Sequence, residues 1–264
     1  VGKTLSSAKV LLYDLETSYL ITKNWGIWEQ NVIGAGKGVL EDFQILCFAY
    51  KWLGDKHTHV VAQPDFKGYK PGVNDDKNVV KALWELFDEA DITIAHNGNQ
   101  FDYRKSTARF IYHKLPPPSP TQQIDTKLVA RRHFGFTSNK LDDLAHHFGI
   151  PGKLDAGGIE TWDGCIAGDM KAWKRMTTYN KRDVVVLEKV YLKMRAWQTN
   201  HPNMGAYIIQ DRPVCPRCQS SKLHGMGFKT TVGGIKYRRW QCQECGHYSS
   251  DRTIDKSKPK PEIK

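Results

Sequence analysis

Asp14 and Glu16 close the apolar run "KVLLYDLET" with a single leucine between them. In a strand, alternate side chains share a face, so the two acids point together while Leu15 points into the core. Like charges on neighbouring sites of one face repel, and burial sharpens the repulsion. Either the pair stands in water at a strand end, or a cation lies between the carboxylates. Two other apolar elements also end in acids. "IAHNGNQFD" runs from a strand into Asp102 at a helix start, and "YNKRD" stacks Tyr179 and Asp183, four residues apart, on one helical face. Each is ordinary alone, because the helix dipole favours acids at helix starts. Four cysteines form a second chemical group, "CPRC" at Cys215 and Cys218 and "CQEC" at Cys242 and Cys245, with 23 residues between the pairs. A turn after each pair presents two thiolates, and a hairpin through Gly233-Gly234 brings the pairs together as a tetrahedral site of four thiolates. Such a set leaves no open ligand position, so it predicts one structural Zn2+ rather than a catalytic one.

The elements that must position these residues show in the hydrophobic pattern. Residues 9–52 read as strands broken by loops, with a further short strand in "HTHVVAQ". "NVVKALWELFDEA" has the spacing of an amphipathic helix, "DITIAHN" reads as a buried strand, and "DYRKSTARFIYH" as a helix. "LPPPSPT" is an extended connection, "QIDTKLVARRHF" a short strand leading into a helix, and "SNKLDDLAHHFG" a helix with Ser/Asn caps that ends at Gly149. Residues 150–169 carry five glycines and no period, which predicts a long loop of the kind that covers a substrate. "MKAWKRMTTYNKRDVVVLEKVYLKMRAW" is helical, as one helix or as two with a junction near Thr177. Strands followed by alternating strands and helices predict an α/β domain with a mixed sheet.

A chain of 264 residues holds one core of ordinary size and a small appendage. Its 40% hydrophobic and 25% charged residues suit a soluble globular protein. No apolar run approaches the roughly 20 residues of a bilayer span, and no signal-peptide pattern opens the chain. No membrane partner is therefore expected, and the cytoplasm is the expected compartment. The formal charge of +11 points to an anionic partner, nucleic acid first. From residue 211 on, twelve Lys/Arg stand against five Asp/Glu, so the basic excess is concentrated at this end. Four thiolates and one Zn2+ would trim that excess of +7 to about +5. The sequence divides at "QTNHPNMG" into residues 1–204, a cysteine module at 205–252 and a basic disordered tail at 253–264. "GAGKG" and "VGKT" lack the spacing of a phosphate loop.

"YDLET", "AHNGNQFD" and "YNKRD", in that order, with "SNKLDDLAHHFGI…K" between the last two, carry a resemblance. Residues 10–195 are similar to the DEDD superfamily of 3′–5′ exonucleases, in the branch with tyrosine in its third motif. Within it they look most like the proofreading domains of family-B DNA polymerases and their stand-alone relatives. The resemblance implies a ribonuclease H-like fold that gathers Asp14, Glu16, Asp102 and Asp183 around two Mg2+ or Mn2+ ions. Four crowded carboxylates would otherwise drive one another's pKa upward, and all-oxygen ligands suit these hard cations better than zinc. The implied reaction is in-line attack of water on a terminal phosphodiester, with metals roughly 3.5–4 Å apart. Tyr179 matches the family tyrosine that positions the nucleophile; an ordinary pKa of about 10 suits orientation rather than general base catalysis. By the same resemblance Thr17 and Asn97 contact the terminal nucleotide, and Phe101 packs beside its base or serves as plain core. Asp125 and His96 read as structural neighbours of the site. The cysteine module resembles a zinc ribbon, with "CGHYSS" as its second knuckle. Lys236, Tyr237, Arg238, Arg239 and Trp240 interleave cations with aromatics as a single-strand surface does, which makes Arg238, Arg239 and Trp240 candidate substrate contacts.

These readings combine into a metal-dependent 3′–5′ exonuclease of single-stranded DNA whose zinc ribbon helps hold the substrate. RNA is the alternative substrate, and a structure-specific endonuclease is a second enzymatic reading. A non-catalytic nucleic-acid-binding protein is the third alternative; it predicts that one of the four acids is lost, and none is. A monomer is expected, with replication or repair proteins as the class of protein partner.

Overall fold

The structure, a computed structural model, describes residues 7–28, 32, 37–208 and 213–251. The expected tail at 253–264, the opening "VGKT" and most of "GAGKG" lie outside the described residues. The chain divides into two compact units, one of Lys9–Tyr191 and one that takes over at Leu192, whereas the sequence pattern placed its break at 204.

In the larger unit, β1 (Val10–Thr17) leads through a small two-stranded arm, β2 (Ile21–Thr22) and β3 (Val39–Glu41), to β4 (Ile45–Trp52) and β5 (His59–Ala62). Then follow α1 (Lys77–Glu89), β6 (Ile92–Ala95), α2 (Asp102–Tyr112), β7 (Gln122–Asp125), α3 (Thr126–His133), α4 (Leu141–His147), α5 (Ile159–Ala167) and α6 (Met170–Met194). The strands form one mixed sheet in the order β5-β4-β1-β6-β7, with β1 antiparallel to β4 and parallel to β6. This is the ribonuclease H-like arrangement, a mixed five-stranded sheet flanked by helices.

Alternation along β1 sorts its residues between two environments. Leu11, Tyr13 and Leu15 are buried with Val79, Leu83 and Phe87 of α1 and Phe110 of α2. Each such side chain contributes about 1.5–3 kcal/mol on burial. A second cluster joins Cys47 of β4 to Cys165 of α5 and to Trp173 and Met176 of α6. Asp76, fully buried, ties α2 to the start of β4. It accepts hydrogen bonds from Ile45 N at 2.8 Å and Arg109 Nε at 2.8 Å, and it meets His113 Nε2 at 2.6 Å.

Three readings are corrected or resolved. Residues 150–169 are not one loop, because Ile159–Ala167 form α5 and bury Thr161 and Cys165, four residues apart. Glycine weakens the helical pattern there but serves packing: a Cβ at Gly164 would come within 2.6 Å of Ala172 Cβ. Nor does α6 break near Thr177; it is one helix of 25 residues. Thr177 and Thr178 donate to the carbonyls of Trp173 and Lys174 one turn back, at 2.8 and 2.7 Å, so their hydroxyls add to the helix without interrupting it. The expected cap of α4 also differs in detail: Lys140 occupies the cap position, while the Ser138 hydroxyl accepts from Lys140 N and donates to Asp143.

The second unit carries β8 (Leu223–Thr230), β9 (Lys236–Cys242) and β10 (Tyr248–Ser250), an antiparallel sheet in the order β10-β9-β8. Among the described residues no helix is long and apolar enough to cross a membrane.

Candidate active site and metal centres

The sheet register gives the acids of β1 their space. Asp14 pairs with Ala49 and Glu16 with Cys47 on β4, so small residues flank both carboxylates where α6 approaches. From α6, Asn180 Nδ2 donates to Asp14 Oδ2 at 2.7 Å and to the Asp14 carbonyl at 3.2 Å. One turn on, Asp183 joins the pair, and ligand oxygens of Asp14, Glu16 and Asp183 all lie within 4.8 Å of one another. Asp102 stands beside this trio without joining it. It is buried at the first turn of α2, and its Oδ1 accepts from Leu15 N at 3.1 Å, fixing the β1 backbone between the two strand acids.

The crowding has an electrostatic cost. Burial, then Asp102 and Glu16, raise the Asp14 pKa well above the carboxylate range. Burial and Asp183 push Glu16 up to about 8, and burial pushes Asp102 up to about 7. Asp183 is raised by burial, although Lys153 opposes the shift. Its Oδ1 is buried and has no well-formed hydrogen bond. Like-charged oxygens forced together, one of them unsatisfied, form a donor set that fits hard divalent cations.

Lys153, like Asn180, is a site residue that the sequence did not single out. Its Nζ lies 2.5 Å from Asp183 Oδ2 and 3.2 Å from the Tyr179 hydroxyl. Burial works against its charge, but Asp183 more than compensates and raises its pKa. Its position comes from distant anchors: Arg182 Nε donates to Gly152 O at 2.9 Å, and Lys153 N donates to Asp142 Oδ1 at 2.8 Å. The only sequence cue was the lysine that ends the family-like stretch after α4. Tyr179, half-buried, has its hydroxyl pushed up to about 12 by burial and Asp183, so it remains a proton donor at neutral pH.

The other expected residues cluster at the mouths of the same elements. Thr17 ends β1, and its carbonyl accepts from Trp162 Nε1 at 3.1 Å. Asn97 adopts φ +67 in the turn before α2, where Asp125 accepts from Asn97 N at 3.0 Å and Asn99 N at 3.1 Å. Asp125 also caps α3 through Lys127 N and Leu128 N, so its role is to hold two backbones. Phe101 sits at the cap of α2 and is 37% exposed, available to a flat ligand. His96 is held between Thr126 Oγ1 at 2.9 Å and Asn139 O at 3.0 Å, and burial lowers its pKa to about 4.

In the second unit the four cysteine sulfurs lie within 4.8 Å of one another, with Cys215–Cys245 at 3.6 Å and Cys218–Cys242 at 3.5 Å. Each pair sits on the same turn. Gln219 N donates to Cys215 O and Gly246 N to Cys242 O, both at 2.9 Å, and the residues after the second cysteines are left-handed at φ +64 and +77. Arg217 N also donates to Cys215 Sγ at 3.4 Å. A soft tetrahedral ion such as Zn2+ fits this all-sulfur set. On β9, alternation parts the candidate contacts. Exposed Arg238 stacks over partly buried Trp240 at 4.3 Å, and Trp240 Nε1 donates to Asp251 Oδ2 at 3.1 Å, whereas Arg239 on the other face donates to Met226 O.

Comparison with known proteins fits this fold. Residues 41–195, more than half of the chain, match the family model RNase_H_2, described as RNase_H superfamily, and the chain belongs to that superfamily. It is a nuclease of that general kind. Among solved structures it is similar to the family B DNA polymerase from the hyperthermophilic archaeon Pyrobaculum calidifontis, at 14% identity and a TM-score of 0.49. The alignment covers 76% of this chain and 27% of the polymerase, so the chain spans about a quarter of that protein's length. No curated protein matches.

Proposed function

We propose that the larger unit is a metal-dependent 3′–5′ exonuclease that hydrolyses terminal phosphodiesters of single-stranded DNA. The observation that carries this reading is the convergence of Asp14, Glu16 and Asp183 oxygens within 4.8 Å, next to Asp102 and Tyr179. The four acids are the residues that would hold two Mg2+ or Mn2+ ions. Bound there, the ions would offset the carboxylate charge, supply a nucleophilic hydroxide at neutral pH and stabilise the leaving oxygen. Tyr179 keeps its proton and orients the attacking water by hydrogen bonding. Lys153 holds Asp183 and Tyr179 in register and adds a positive charge beside the developing negative one. Thr17 and Asn97 contact the terminal nucleotide, and Phe101 packs against its base. The four cysteines hold a structural Zn2+, and the Arg238–Trp240 face of the ribbon engages bases and phosphates.

The test uses matched 5′-labelled single-stranded DNA and RNA with Mg2+ or a chelator, and Asp183→Ala as control. A Mg2+-dependent ladder shortening from the 3′ end, absent in the variant, is the expected result, and the faster substrate identifies the sugar. A circular single strand should resist; cleavage of the circle would make the enzyme an endonuclease. If a folded chain shortens neither substrate, even with Mn2+, the catalytic reading fails.

A further inference from the structure

A second set of charges lies just outside the acidic site. Along one exposed face of α6, Lys171, Lys174, Arg175 and Thr178 follow the i, i+3, i+4, i+7 spacing that aligns side chains in a row. The row borders a cavity of about 410 Å3 whose lining includes Leu154 and, at one end, Tyr179. An adjoining cavity of about 200 Å3 shares Lys171 and Arg175 and continues towards Thr161. The groove thus starts at the tyrosine of the site and follows the helix away from it.

A row of cations on a helix is ordinarily a solvated face, but here one of them packs against the backbone of another segment. Gly157 adopts φ +80, and a Cβ there would run into the Arg175 guanidinium. The acids nearby are engaged with backbone: Asp155 Oδ1 accepts from Gly157 N at 2.9 Å, and Asp169 Oδ1 from Lys171 N at 2.8 Å. Asp155 lines the larger cavity, and Glu160 and Asp169 the smaller, so the groove carries charges of both signs. Among the described residues, Lys171, Lys174 and Arg175 form no ion pair. Three unpaired cations in a groove call for an anionic ligand with repeated charges.

We propose that Lys171, Lys174 and Arg175 grip the phosphodiester backbone of a single strand on the 5′ side of the cleaved bond, an inference that rests on the exonuclease reading. The polarity follows from the reaction. Only one nucleotide lies beyond the bond cut at a 3′ end, whereas Arg175 and Lys171 stand about 6 and 12 Å along the helix from Tyr179 at 1.5 Å per residue. Cations that far from the cut have phosphates to meet only on the side of the strand that remains.

The experiment measures binding of oligo-dT of two to eight nucleotides to the full chain in Ca2+, across a range of salt. Wild-type affinity should rise with length. Lys171→Ala, Lys174→Ala and Arg175→Ala combined should weaken the longest oligonucleotide at least tenfold and flatten the log–log salt slope by about 2, at roughly 0.7 per lost phosphate contact. The pair Lys171→Gln and Lys174→Gln, which leaves Arg175 against Gly157, should flatten it by about 1.4. This pair decides the matter if the triple variant misfolds. Lys77→Ala with Lys81→Ala on α1 removes charge elsewhere and should change neither quantity. Unchanged affinity and slope in the α6 variants, with strand shortening intact, would overturn the groove and leave the exonuclease standing. The reverse pattern, a three-cation slope in a chain that never shortens a strand, would sink the exonuclease reading and keep a phosphate-binding groove.

Discussion

The acidic cluster and the cysteine cluster are both ligand sets, yet the chain holds them by opposite means. Asp14, Glu16, Asp102 and Asp183 are placed by a sheet and helices whose cores, from Leu11 and Phe87 to Trp173 and Met176, fold around apolar side chains. That scaffold forces the carboxylates together against their repulsion, and the raised pKa values record the cost. Among the described residues after Tyr191, the buried hydrophobic side chains are Met194, Met204, Cys215 and Cys242. Along β8 every residue is exposed or only partly buried, and β9 buries only Cys242. In the first region the fold makes the site; in the second, the proposed Zn2+ is itself the centre of the fold.

Withdrawing metal should therefore separate the two regions. A strong zinc chelator should remove the amide-exchange protection of β8 and β9 while β1 and β6 keep theirs, since zinc binding in such modules is worth about 10–16 kcal/mol of folding. Strands that keep their protection without zinc would break the comparison. Asp14→Asn tests the other side. It should lower exonuclease activity about 10^3-fold, roughly 4 kcal/mol in the barrier. It should also raise the metal-free melting temperature by about 2–4 °C if about 1 kcal/mol of repulsion is relieved. A fall in that temperature would mean that the cluster is not under electrostatic strain.

The last test is in pH. Without metal, native Glu16 keeps its proton up to about 8, whereas the unfolded chain releases it near 4.5. The native state then binds more protons, so stability declines as pH rises between these values. His96 runs the other way: its native pKa of about 4 lies below the ordinary 6.5, so stability present above 6.5 is lost as pH falls towards 4. That loss is about 2 kcal/mol by pH 5. Urea titrations of the metal-free chain from pH 4.5 to 8.5 should thus show stability declining with pH, because the raised Asp14, Glu16 and Asp102 outweigh the opposite slope of His96 below 6.5. Mg2+ should flatten the decline, and His96→Gln should steepen it below pH 6.5. A flat profile would show that the crowded carboxylates do not carry their shifts into stability.

Much of this was legible in residue spacing. The one-residue gap between Asp14 and Glu16 set their common face, and the two CxxC pairs announced a four-sulfur site, because both depend on neighbours in sequence. α5 was hidden because its glycines dilute the helical period, although Thr161 and Cys165 already stood one turn apart. Lys153 was harder to find. It reaches Asp183 only because Arg182 and Asp142 pin residues 152 and 153 from elsewhere in the fold, and no local pattern records that. Nor could spacing show that Asp102 would spend an oxygen on the backbone of Leu15 rather than join the trio.

The unbroken run of α6 gives the molecule a ruler. Lys171 and Asp183 are marks on one rod, about 18 Å apart and fixed in phase by 3.6 residues per turn. With no joint between them, a strand seated in the proposed groove would meet the acids at one set offset. The cut would then fall a constant number of nucleotides from the grip, whatever the bases, so the helix would measure as well as hold.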